Sequence, residues 1–89
     1  MNNQEPPKIA PEIIWRTLDD NAIVVTPKIG KVRVLNGSGT LIWQMLAENK
    51  SLETIRENLV ATFDVTPAQA GEDLQSFILE LTDRGLLTD

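Results

Sequence analysis

The sequence predicts a small α+β domain, a three-stranded antiparallel β meander followed by three α-helices. Three observations predict it. The hydrophobic period changes from two to about 3.6 residues where Lys31-Val32-Arg33-Val34-Leu35-Asn36 runs into Gly37-Ser38-Gly39-Thr40-Leu41-Ile42-Trp43-Gln44-Met45-Leu46. Before that switch, short β-type segments are separated by turn-forming residues. After it come amphipathic stretches, each preceded by a residue that can cap a helix.

The first strand spans Glu12 to Leu18, where Ile13, Trp15 and Thr17 alternate with Ile14, Arg16 and Leu18, a pattern that suits partial cover on both faces. Asp19-Asp20-Asn21 reverses the chain, because short polar side chains bond to nearby backbone and tolerate left-handed geometry. Ala22-Ile23-Val24-Val25-Thr26 is the densest β-branched run, and Pro27, which lacks an N–H, stops it. Pro27-Lys28-Ile29-Gly30 turns the chain into the third strand. There Val32 and Val34 are expected to face inward and Lys31, Arg33 and an exposed Leu35 to face water.

Asn36 and Ser38 are both competent caps for the first helix, whose Ile42, Trp43 and Leu46 share a face that can close over the meander. Ser51 caps the second, in which Leu52, Ile55, Leu59 and Phe63 form one apolar stripe. Thr66-Pro67-Ala68-Gln69 combines a threonine cap, proline at the first helical position and a glutamine that can bond back, so the third helix starts at Pro67. Its apolar face holds Ala70, Leu74, Phe77, Ile78 and Leu81; Gly85 ends it, and Leu86 and Leu87 fold back on the core.

A chain of 89 residues supports one core, expected over 9–89 behind a flexible polar tail at 1–8. With no cysteine and no histidine, disulfides, thiolate or imidazole metal sites and Cys- or Ser–His catalysis are excluded. A net charge of −5 disfavours nucleic acid, and the absence of a long apolar run or signal-peptide pattern points to a cytoplasmic protein without a membrane partner. The paired carboxylates Asp19-Asp20 and Glu72-Asp73 sit on a turn and a helix face and do not converge as an acid–base pair would. Asp19 and Asn21 open like a calcium loop, but Ile23 stands where a further oxygen ligand belongs. Gly37-Ser38-Gly39 lacks the lysine of a phosphate loop and reads as a flexible turn, and Trp15 reads as packing. No catalytic residue, metal or cofactor is expected.

Two binding readings remain. A winged-helix regulator would need a basic recognition helix, whereas the second helix offers only Arg56 and the third only Arg84 near its end. Alternatively, the third strand is a sheet edge, a template for a strand from another chain, with Lys31 and Arg33 either recognising that chain or merely blocking aggregation.

The order of Trp15, a hairpin, VRVLN at 32–36, IW at 42–43, SLETI at 51–55, LVATFDV at 59–65 and EDLQSFILELTDRGLL at 72–87 resembles the PqqD-like family, the RiPP recognition elements of ribosomally made, post-translationally modified peptides. The resemblance implies a winged-helix-like fold and a non-enzymatic chaperone that captures the leader segment of a precursor peptide as an added strand. Carried onto this chain, the edge is Lys31, Val32, Arg33, Val34 and Leu35, and the groove wall is Asp73, Leu74, Phe77, Ile78 and Leu81. An apolar pocket at Phe77 and Ile78 would select among peptides, and Lys31 and Arg33 would favour acidic ones. The implied partner is either a radical S-adenosylmethionine (SAM) enzyme, as for PqqD, or a leader protease, as in lasso-peptide pathways. The alternative is an acidic winged-helix regulator or a general protein-interaction module.

Overall fold

The computed structural model describes residues 6–88. In chain order the elements are β1 (Lys8–Ile9), β2 (Ile14–Leu18), β3 (Asn21–Thr26), β4 (Lys31–Val34), α1 (Gly37–Ala47), α2 (Leu52–Phe63), α3 (Pro67–Asp83) and β5 (Leu87–Thr88). The expected meander is β2-β3-β4, antiparallel throughout, and three helices follow it. Leu18 pairs with Asn21, leaving a two-residue loop in which Asp19 (φ 52°) and Asp20 (φ 69°) are both left-handed. That handedness matches the right-handed twist of the flanking strands. The second turn spans the four residues between Thr26 and Lys31, with Gly30 at φ 65°.

Two short strands lie outside the predicted plan. Lys8 and Ile9 pair antiparallel with Thr88 and Leu87, and the Ala10 N–H donates to the Leu86 carbonyl at 3.0 Å. The flexible tail expected over 1–8 lies, for residues 1–5, outside the described residues, while Lys8 is part of β1. As expected, Leu86 and Leu87 fold back and are buried.

The helices start where their caps stand. Asn36 caps α1, its Oδ1 accepting from the Gly39 N–H at 2.9 Å. Ser51 caps α2 and Thr66 caps α3, each hydroxyl accepting from the amide three residues on at 3.1 Å. The reciprocal half of the capping box at Thr66 is not made: Gln69 Nε2 donates instead to Asp73 Oδ1 at 2.9 Å, a charge-assisted bond one helical turn on. The reading of Gly37-Ser38-Gly39 as a flexible turn is also corrected, since these residues form the first turn of α1. Packing overrides their poor helix propensity. The Phe77 ring lies 3.2 Å from where a Gly39 Cβ would stand, closer than ordinary side-chain contact, so the missing side chain there admits the ring.

The core lies between the inner face of the sheet and the helices, centred on Val24, Trp43, Leu46, Ile55 and Leu81. Trp15 meets Trp43 edge-to-face, with ring centroids 6.1 Å apart. At the seam, one buried hydroxyl joins three elements. The Leu35 N–H donates to the Ala22 carbonyl at 2.8 Å, while Thr40 Oγ1 accepts from the Ala22 N–H at 2.9 Å and donates to the Leu35 carbonyl at 3.1 Å. The hydroxyl of α1 thus stands in for the second rung of the β3–β4 ladder.

The facing of β4 is opposite to the sequence expectation. Leu35 is buried, whereas Val32 and Val34 are 61% and 62% exposed. Cross-strand pairing puts Val32 in a row with Val25 and Ile14, and Val34 in a row with Ile23 and Arg16, all on the sheet face away from the helices. Lys31, Arg33 and Leu35 occupy the helix side. Only Leu35 is deep enough there to be covered, while Lys31 and Arg33 lie at the rim, where long side chains can lay an apolar stem inward and keep a charge in water.

Candidate functional site

In the order β2-β3-β4 the last strand has one neighbour, so its other side is a free edge among the described residues. Antiparallel bonding alternates, and the Leu35 N–H is committed to β3. By that alternation the backbone groups of Arg33 also face β3, and those of Val32 and Val34 face the free edge. An incoming strand would therefore find the N–H and C=O groups of two residues, Val32 and Val34.

Helix α3 flanks this edge. Arg33 Nη1 lies 3.3 Å from Glu80 Oε2, and the same oxygen lies 3.3 Å from Arg84 Nε. Toward the start of α1, a cavity of about 410 Å³ opens between α1, α2 and α3, with Phe63, Val65 and Phe77 supplying apolar wall and Asp73 and Glu80 the polar rim. Toward the β3–β4 turn, a smaller cavity of about 170 Å³ is lined by Lys31, Arg33 and Arg84 together with Ile29. The floor of the larger cavity is set by Gly39, whose missing side chain lets Phe77 sit against α1.

The residues expected to form the groove wall divide between two sides of α3. Asp73 and Phe77 line the cavity beside α1. Leu74 and Ile78 instead line a groove of about 540 Å³ between α2 and α3, with Leu52, Arg56 and Leu79, and Leu81 is fully buried in the core. Lys31, Val32, Arg33 and Val34 stand on the edge strand, and Leu35 has turned inward. Glu80, Arg84, Phe63 and Val65 also border the groove. The spacing Asp73, Phe77, Glu80, Arg84, alternately four and three residues, places the α3 members on one helical stripe and was visible in the sequence.

This edge-and-helix arrangement is shared with known proteins. The sequence profile of Coenzyme PQQ synthesis protein D (PqqD) matches residues 21–87. The chain belongs to the PqqD family. Among solved structures, it superimposes on TbiB1 in complex with the TbiA(β) leader peptide with a TM-score of 0.85 and 28% identity, over 90% of this chain and 93% of that one. A lasso peptide synthetase B1 complexed with its leader peptide has the same fold, with a TM-score of 0.86 at 22% identity, over 93% of this chain and 98% of the other. No curated protein sequence matches significantly.

The PqqD assignment fits what the site can do chemically. It offers backbone donors and acceptors, an apolar recess and a charged rim, which are the components of strand addition. No group of three or more acidic residues that could hold a metal ion occurs among the described residues, and no helix there is long and apolar enough to cross a membrane.

Proposed function

We propose that this PqqD-family protein binds the leader segment of a ribosomally synthesised precursor peptide as an added strand on β4 and presents it to a separate enzyme, either a radical SAM modifying enzyme or a leader protease. The observation that carries this reading is the free edge of β4, flanked by α3 at the distance of one ion pair, in a family whose solved relative TbiB1 is a leader-peptide complex. Lys31, Val32, Arg33 and Val34 form the receiving edge, and Asp73 and Phe77 border the recess for an apolar side chain. Main-chain bonding to the edge tolerates many sequences, and the recess chooses among them. The protein itself is not an enzyme: it has no histidine or cysteine, and its working surface supplies hydrogen bonds and shape. It acts in the cytoplasm, where a ribosomal product meets the enzyme that modifies it.

The test is calorimetric titration with synthetic leader peptides of lasso-type precursors, that of TbiA(β) among them, combined with amide hydrogen exchange. Saturable binding is expected, with new protection at the Val32 and Val34 amides, whose N–H groups face the open edge, and little change at Arg33, which already bonds to β3. Protection concentrated on α2, or failure of every leader to bind, overturns the reading.

A further inference from the structure

One side chain divides the groove between β4 and α3. Glu80 borders the apolar recess beside Phe77 and also holds both Arg33 and Arg84 through a single carboxylate oxygen, 3.3 Å from each. On its far side Lys31, Arg33 and Arg84 line one cavity. Three cations line that cavity and one carboxylate, Glu80, pairs with two of them, on a chain whose overall charge is −5. The local excess is positive against an acidic background.

Strand register gives this excess a position on the ligand. Directly opposed residues of neighbouring strands share a face, so ligand side chains opposite Leu35 and Arg33 would both point toward α3 and be two positions apart. A strand added antiparallel to β4 runs from the Asn36 end toward Lys31. The residue nearest the Phe77 recess therefore comes first, and the residue facing Arg33 comes second.

Resting on the leader-binding reading above, we propose that the groove selects an extended peptide with an apolar residue followed two positions later by Asp or Glu, and that Glu80 is a resident competitor for that acid. The incoming carboxylate takes over Arg33 and Arg84 from Glu80 and gains Lys31. A peptide with a neutral residue at that position leaves the Arg33–Glu80 pair closed across the groove. The pair is suited to exchange, because the side chains of Arg33 and Glu80 are 26% and 47% exposed and neither is locked by burial.

A displayed library of random peptides, selected on the wild-type protein, supplies the probe; a selected peptide is then synthesised with the acid and with its amide counterpart, and both are titrated against wild type, Glu80→Gln and Arg33→Gln. Selected sequences are expected to share the apolar-x-acidic spacing. Glu80→Gln should tighten the acidic peptide roughly two- to fivefold at low salt relative to the amide peptide, with that difference fading at high salt. Arg33→Gln should weaken the preference for acid over amide, because Lys31 and Arg84 remain to meet the carboxylate. Selected peptides without an acid at that position, or equal tightening of both peptides by Glu80→Gln, overturn the inference while leaving strand capture standing. Failure to select any peptide overturns strand capture and this inference with it.

Discussion

Val34→Pro is expected to weaken peptide capture strongly while the domain stays folded. By the alternation set at Leu35, the Val34 N–H faces the open edge and bonds to nothing in β3, so its loss leaves the β3–β4 ladder intact. Proline is tolerated on edge strands for this reason, and the side chain removed is already largely in water. Stability should change by no more than about 1 kcal/mol. An added strand, in contrast, loses a hydrogen bond, leaves a carbonyl unpaired beside the proline ring and is weakened roughly tenfold to a hundredfold. Calorimetry with a leader that binds the wild type reads the affinity, and a urea titration reads the fold. Arg33→Pro is the control: its N–H belongs to the β3–β4 ladder, so its loss should disrupt the edge itself. A folded Val34→Pro protein that binds leader with unchanged affinity would exclude β4 as the receiving strand.

The second large effect is expected at Thr40. Thr40→Val keeps the shape of the side chain and removes the hydroxyl that accepts from the Ala22 N–H and donates to the Leu35 carbonyl. Ala22 is fully buried and Leu35 5% exposed, so neither orphaned backbone group can turn to water without opening the seam. At about 1–3 kcal/mol for a buried unsatisfied group, the variant should lose on the order of 2–4 kcal/mol, a large share of what a domain of this size possesses. Thr40→Ser retains the hydroxyl and should cost only about 1 kcal/mol for the lost methyl group. Urea midpoints compare the two. Hydrogen exchange localises the damage, because the Ala22 amide should lose its protection in the valine variant first.

The elements that could be read from the sequence are those with local signals. Ser51 and Thr66 announce α2 and α3 because capping chemistry is a short-range property, and Pro67 and Gly85 bracket α3 for the same reason. The inversion of β4 has the opposite cause. Four residues give two side chains per face, and the usual rule that cations face water fails at a rim where they reach water from the helix side. The decisive residue is Leu35, which lies just past the strand and is claimed by Ala22 and Thr40, contacts that span 13 and 5 residues of sequence. The β1–β5 pairing joins opposite ends of the chain through two residues each and has no local signal at all. The periodicity of α3 marked Leu74, Ile78 and Leu81 as its apolar face, and the groove wall implied by the family resemblance included them, whereas Leu74 and Ile78 line the α2–α3 groove and Leu81 lies in the core. The stripe that lines the recess beside α1 is offset by one position, at Asp73 and Phe77, and continues to Glu80, which reaches Arg33 of β4. A helix with apolar residues on two adjoining faces does not declare which face meets a ligand.

The edge-to-face contact of Trp15 and Trp43 determines how the protein can be watched. These are the only two tryptophans in a chain without tyrosine, so its near-ultraviolet absorption and emission come almost entirely from one pair of indoles. Trp43 is fully buried and its indole N–H has no hydrogen-bond partner among the described residues, an environment that holds emission at short wavelength until solvent enters. Neither indole borders the cavities flanking Glu80. Intrinsic fluorescence is therefore a clean reporter of unfolding and a nearly silent one of ligand binding, and the ligand would need to carry a dye of its own to be seen by light.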